Sequence, residues 1–541
     1  MKPDRHCYKL FPRSGLRSAR VWRPIVVVLI LFFLFFLVPN GSPSNTSLGV
    51  EKQIQRLIEH GDLGAAQKLL SQALKEYPTD ANLYNLQGVV EAQENNYSAA
   101  ESNFLKAIAE APQLSGAYLN LGRLYLQNSH RDPKALKKAS ETYDKLLKFD
   151  PDNIEANYQS AFALLHLSSF PESLERLARL PKSEQGRSQA LSIRCGDYAG
   201  LKEHAEALAT ANLMLGSSDL AEADVLTILP ILGSHQYDDI AIRLLEGLQG
   251  RGFTSFNSLH SLGMFYRKEG RLSDARAVLE KAAQDQPNSV PALMELARVA
   301  YDQKDYNGSL GYLAHARQLE PQNPEIHFFW GMICIQQNLE EEAYQALKKA
   351  VELNPDNAYY NYALGAIAMV RVNAGEAIPY FKKYCELKPH DPRGRLALGA
   401  AYFHSHNIDE AKKVLSQITN YRTTAPGVHY YLGRIANDEG NLTLAARELQ
   451  TAIRYNPQYE QAYAELGLVH LKRKEYHQAA TALGKALELN PESYTANLNL
   501  MVLYERTKDP RAAEQAKRFS KVTKQRAERA KEFLRTIQVQ P

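Results

Sequence analysis

Cysteine is scarce: four in 541 residues, with no two at the spacing of a metal knuckle or a redox pair. A Cys-x-x-Cys zinc site is thereby excluded, and core thiols are favoured over a disulfide framework. Equally absent are a phosphate-cradling glycine loop, a His-Glu-x-x-His helix and a nucleophile elbow. No cofactor, resident metal or catalytic residue is expected, nor a small-molecule substrate, and the chain does not read as an enzyme. Its formal charge is only +4, and that is unevenly placed. Residues 1–24 carry +6 and residues 505–541 another +6, so the body between them stands at −8. A mildly acidic body makes a poor phosphate-binding surface, and nucleic acid is not an expected partner.

The residues that resemble sites have simpler readings. Cys195 and Cys334 fall at packing positions and read as core thiols, while Cys7 precedes the apolar segment. His404-Ser405-His406 sits at the end of a first helix, entering a turn, and reads as solvated turn histidines rather than a metal pair. In Asp150-Pro151-Asp152 the proline ends a repeat, so the flanking acids belong to a turn.

A period fills the rest. Stepping by thirty-four residues from Gly263 gives Ala297, Gly331, Gly365, Gly399, Gly433 and Gly467. Twelve residues after each stands another small residue (Ala275, Ser309, Ala343, Ala377, Ala411, Ala445, Ala479), and four further on a Leu or Phe. Pro287, Pro321, Pro355, Pro389, Pro457 and Pro491 close six of the seven units. Apolar residues recur at helical spacing in two bursts per unit. Proline ends the second burst because it lacks an N–H and disfavours helix in the residue before it. Small residues let two helices approach. One hairpin cannot bury both its apolar faces, so units must stack.

Leu-Gly, Ala, a large apolar residue, Ala and Pro at these offsets resemble the tetratricopeptide repeat. Run backwards, the phase recovers Gly122 and Gly88, then a unit with Ile54, Ala66, Leu70, Ala73 and Pro78; extra residues near Ser129–Lys134 precede Ala139. The resemblance implies an all-α superhelical solenoid of about fourteen helical hairpins over 47–527. It divides into an N-terminal array (47–180), diverged units (181–255), a regular array (256–493) and a terminal unit with a basic capping helix (494–541). In the diverged stretch Cys195 and Leu229 hold the small-residue positions and Ala207 and Ala241 follow. The stretch reads as loosely packed repeats, with a hinge or partner site as the alternative.

One long apolar run exists. Ile25–Val38 follows a basic leader (1–24) and precedes a Pro/Gly/Ser/Asn-rich tether (39–48). Fourteen residues suit a signal-peptide core, but Arg23 and Trp22 can lengthen the span and no small-x-small cleavage site follows. The expectation is one uncleaved transmembrane helix with the leader in the cytoplasm and the repeats in a periplasm or lumen. Asn45, Asn96 and Asn441 begin glycosylation triplets that matter only in a eukaryotic lumen.

In the family it resembles, first helices line a concave groove that holds peptides or partner helices. Carried over by offset, the groove side chains are Phe328, Phe329, Tyr362, Phe403, Tyr430 and Tyr431, with Arg298 and Arg434 one residue after the small position. Packing between repeats is the alternative for several of them. The Asn/Lys carboxylate clamp of chaperone-tail binders is not reproduced, since Asn85, Asn120 and Asn499 are scattered. The sequence therefore points to a membrane-anchored scaffold that binds proteins or peptides without turnover. The alternatives are a cytosol-facing organelle receptor and a substrate-recognition subunit for a glycosyltransferase acting in trans; an asparagine ladder would favour the latter.

Overall fold

A computed structural model of the chain describes residues 48–371 and 373–538, with side chains described as far as Gln525. The leader, the apolar segment and all of the tether but Leu48 lie outside the described residues. Those residues hold twenty-nine helices and no strand, and no helix among them is long and apolar enough to cross a membrane. All but the single-turn helix Lys182–Gln185 fall into fourteen consecutive hairpins, from Leu48–Glu59 with Leu63–Glu76 to Tyr494–Thr507 with Ala512–Gln538.

The turn inside most of the hairpins is made by one residue in left-handed conformation, and from Lys202 onward these residues stand at multiples of thirty-four: Lys202 (φ 65°), Gln236 (66°), Gly270 (79°), Lys304 (64°), Asn338 (59°), His406 (63°), Gly440 (78°), Lys474 (62°) and Lys508 (55°). Between hairpins the chemistry is different. Two residues after the closing proline, an Asp, Asn or Ser side chain accepts a backbone N–H and caps the next first helix, as at Asp80, Asn153, Ser289, Asn323, Asn357, Asp391 and Ser493. Such a cap stabilises by about 1 kcal/mol. Asp150 serves this turn by accepting from Asn153 Nδ2 at 2.8 Å. A second device repeats beside it. The side chain six residues after the proline donates to the proline carbonyl, from Tyr84 Oη to Pro78 (2.9 Å), Tyr118 Oη to Pro112 (3.0 Å), Asn361 Nδ2 to Pro355 (2.8 Å) and Asn497 Nδ2 to Pro491 (3.1 Å). Where the unit begun at Gly399 lacks its proline, the second helix stops after nine residues (Ile408–Ser416) and Ile418 turns inward to become buried.

The core of a hairpin is a knob over a glycine. A Cβ added at Gly263, Gly365, Gly399 or Gly467 would meet the side chain of Leu279, Phe381, Leu415 or Leu483 at less than 3.0 Å, and at Gly88 and Gly122 that of Phe104 and Tyr143. The knobs are fully buried, and each contributes roughly 1.5–3 kcal/mol of apolar burial.

The helices form two compact units, one ending at Asp305 and the other beginning at Tyr306. Residues 181–255 lie within the first. There Cys195, Ala207, Leu229 and Ala241 are buried in phase, and the Cys195 thiol donates to the Ala207 carbonyl at 3.4 Å. Burial pushes the Cys195 thiol up to about 12. Cys334 is likewise a buried, unpaired thiol. Beside Cys195, Asp197 is wholly buried; Ser173 Oγ donates to its Oδ2 at 2.7 Å, while its Oδ1 has no hydrogen-bond partner. Loss of water pushes the Asp197 carboxyl up to about 8 against the opposing pull of Ser173 and Arg194.

Candidate functional site

The groove positions named from the sequence fall on first helices, and in the unit from Tyr306 onward they meet in pairs. Phe328, on Pro324–Gln336, stacks on Tyr360 of Ala358–Val370 with centroids 4.7 Å apart. Tyr362 leans on Phe381 (5.6 Å) and Tyr384 (5.0 Å) of the second helix Ala374–Leu387. Neither Tyr360 nor Tyr384 stands at a groove offset, and sequence reasoning missed both.

The densest cluster spans three successive first helices, Pro392–His404, Ala425–Asp438 and Glu460–Lys472. Phe403 meets Tyr431 at 5.6 Å, and Tyr430 meets Tyr459 at 5.2 Å. The Arg434 guanidinium lies 4.7 Å from the Phe403 ring centroid and 5.7 Å from that of Tyr430, and 3.6 Å from the Glu465 carboxylate. A cation over two ring faces, partly out of water, adds about 1 kcal/mol or more to such a cluster. One helix turn away, Lys472 donates to Asn437 Oδ1 at 2.7 Å. The residues split by exposure. Phe329, Phe403 and Tyr430 are buried, whereas Phe328, Tyr362, Tyr431 and Arg434 keep part of their surface in solvent. The former pack between repeats; the latter stay partly open to solvent.

His404 is exposed, as expected of a histidine entering the turn, and one side of its ring also borders the aromatic cluster. It closes the helix Pro392–His404 and sets its ring edge-on to Phe403 (5.3 Å) and Tyr431 (5.9 Å). Crowding on the side of the ring that faces the cluster, with the Arg434 and His406 charges beside it, pushes the imidazole down to about 4. It is a neutral donor and acceptor at the cluster's edge. His406 is the left-handed turn residue.

Arg298 lies in the other unit, on Val290–Asp302, and pairs with the buried Glu295 of its own helix; Arg267 reaches Glu295 at 3.2 Å and Asp302 at 3.1 Å. Burial works to raise the Glu295 carboxyl, yet Arg298 and Arg267 hold it below the usual range. Arg298 is thus committed to an internal network. Asn120 Nδ2 donates to Asn85 Oδ1 at 3.0 Å, both residues buried, so two of the scattered asparagines form a structural pair. Among the described residues no three His, Cys, Asp or Glu gather as a metal site.

Models of the tetratricopeptide repeat match residues 52–115, 256–299, 300–367, 373–435 and 460–493. Together they span just over half of the sequence, and the chain belongs to this repeat family. Several solved structures align with parts of the chain. The Cut9–Hcn1 hetero-tetramer of the APC/C aligns over 83% of this chain and 95% of its own, at 16% identity and a TM-score of 0.39. The Pseudomonas aeruginosa pilF structure aligns over 39% and 96%, at 21% identity and 0.34. MamA aligns over 32% and 94%, at 24% identity and 0.29. No curated protein matches the sequence.

Proposed function

We propose that the chain is a membrane-tethered scaffold whose first helices hold protein or peptide segments close to a membrane, binding them without turnover. Repeats of this family are a protein-binding fold, which supports the first half of the reading. The observation that carries the site is the cluster of Phe403, Tyr430, Tyr431 and Arg434, drawn from adjacent first helices. Tyr431 and Arg434, partly exposed and held rigid by the buried Phe403 and Tyr430, give a partner contact area at small entropic cost. The apolar run Ile25–Val38 behind a leader of +6 supports the tether, and the charge bias puts the repeats on the extracytoplasmic side.

Two measurements on the full chain test this. Reporter fusions before Arg20 and after Asn45 are expected on opposite faces of the membrane; the same face for both removes the tether. A photo-crosslinker at Tyr431 or Tyr362 is expected to trap partner proteins in intact membranes, and one at Lys485, on a second helix, to trap few. Equal yields at all three positions dispose of the groove. Of the alternatives, the glycosyltransferase subunit gains nothing from the asparagines, because the Asn85–Asn120 pair is buried.

A further inference from the structure

Two of the second helices are short. Phe170–Ala178 and Ile408–Ser416 have nine residues each, where Ala135–Leu147, His204–Gly216 and Asp238–Gly250 have thirteen. A cavity accompanies each, of about 410 Å³ after the first and about 420 Å³ beside the second. The two differ in what lines them. In the second, the residue before the small position is Leu432, and Lys412 pairs with Glu439. In the first, the same position of the period carries Arg194, on the first helix Ser188–Leu201. The repeats from Leu262 to Leu466 put Leu or Trp there.

Arg194 shares its cavity with Leu191 of its own helix, with Asn212, Leu213 and Ser217 at the end of the second helix, and with Gln185 of the single-turn helix Lys182–Gln185. Leu191 is buried, whereas Leu213 is 61% exposed. Two more guanidiniums grip the wall. Arg243 Nε donates to Asn212 Oδ1 at 2.6 Å, and Arg251 donates to the Ser217 carbonyl at 2.7 Å. Among the described residues no carboxylate forms an ion pair with Arg194, Arg243 or Arg251. The nearby acids are already engaged. Glu184 pairs with Arg187 at 3.1 Å, and Asp219 accepts from the Ser188 N–H at 3.3 Å and from the Ser217 hydroxyl. Asp197, three residues beyond Arg194, keeps its proton up to about 8. Glu184 and Asp219 thus stand against four guanidiniums, and the cavity is left with positive charge over an apolar wall.

We propose that this cavity binds an acidic peptide segment of a partner protein, its carboxylate on Arg194 and a neighbouring aliphatic side chain against Leu191 and Leu213. Chemistry decides among the occupants. A free inorganic anion would satisfy Arg194 and leave Leu213 in water. A nucleic acid needs a row of free cations, and Arg243 and Arg251 are turned onto the wall. The chain's own first 47 residues hold a single acid, Asp4, between Pro3 and Arg5, and do not match. A carboxylate beside an aliphatic side chain meets both features, since a guanidinium fork binds a carboxylate through two parallel hydrogen bonds. The site lies off the groove offsets and stands whether or not the aromatic cluster binds a partner.

The test uses the full chain in detergent micelles and three labelled hexapeptides with blocked ends, alternating Glu with Leu, Gln with Leu, and Glu with Ser. The Glu–Leu peptide is expected to bind at least tenfold more tightly than either control, to slow amide exchange over 185–194 and 212–217, and to weaken as salt is raised. Arg194→Leu installs the residue that other repeats carry, so helicity by circular dichroism should hold while binding falls at least tenfold. Arg194→Lys keeps the charge without the fork and should fall between. Leu213→Ser, at an exposed position, should weaken binding severalfold. Equal affinity for the Glu–Leu and Gln–Leu peptides, slowed exchange elsewhere but not at these residues, or undiminished binding to Arg194→Leu overturns the proposal. So does an absence of binding, displacement of the peptide by equimolar inorganic phosphate, or tighter binding of an RNA duplex at the same residues.

Discussion

Gly399 faces the side chain sixteen positions later, and the space between its backbone and Leu415 is less than a methyl group. Gly399→Ala is therefore expected to destabilise by about 1–3 kcal/mol through overpacking. Leu415→Ala in the same chain should recover part of that loss, a coupling that a double-mutant cycle in urea would read. Asp197 gives a prediction of another kind. Its carboxyl titrates near 8 in the fold, pushed there by burial, against about 3.9 in the unfolded chain. The native state thus keeps a proton that the unfolded state has lost, so stability is full below about pH 4 and falls as pH rises toward 8. Asp197→Asn should flatten this decline, seen as a denaturation midpoint nearly equal at about pH 5 and pH 9. If the wild-type midpoint is already flat over that range, Asp197 is not a buried acid.

At the scale of the helix, the guanidinium of Arg434 links three first helices. Arg434→Ala is expected to reduce partner capture at least tenfold if the cluster is a binding anchor, while lowering the melting temperature by only a few degrees. Arg434→Lys keeps the charge but loses the planar stacking, and should fall between. An unaltered crosslinking yield for Arg434→Ala would show that the cluster serves packing alone. These elements were largely readable beforehand. The period placed the hairpins, the turn insertion before Ala139 and the buried thiols, because steric packing of Gly on Leu allows few substitutes. The connections were less readable. Pro230 and Pro379 lie inside helices, so proline did not always mark an end. The donors to the proline carbonyls vary among Tyr, Asn, His and Arg, a change of residue type that conceals a constant spacing. The ring pairs were only half visible, since Phe328–Tyr360 and Tyr362–Tyr384 depend on side-chain directions that an offset does not specify.

Over the whole chain, stability is distributed among nearest neighbours, as in other stacked repeats. Gly399→Ala should therefore raise native-state amide exchange in its own hairpin and those on either side, and leave the hairpins before Asp305 unchanged. Uniform deprotection of the entire chain would mean a single cooperative body instead. The boundary at Asp305 and Tyr306 had no signature in the sequence, because Ala297, Ser309, Leu313 and Pro321 keep the period through it without a break. A divergence of composition was visible at 181–255, yet those residues keep their burial pattern within one unit.

The left-handed turn residues are where this chain departs most from its own local preferences. Glycine occupies that conformation without a steric penalty, but here lysine, glutamine, asparagine, serine and histidine fill most of the positions. Each leaves a strain of roughly 1 kcal/mol or a little more unrelieved. Lys474→Gly, at a turn position exposed to solvent, should raise the melting temperature rather than lower it. A thermostable version of the scaffold is thus within reach by editing its hinges of chirality alone, one per turn, with the binding helices untouched.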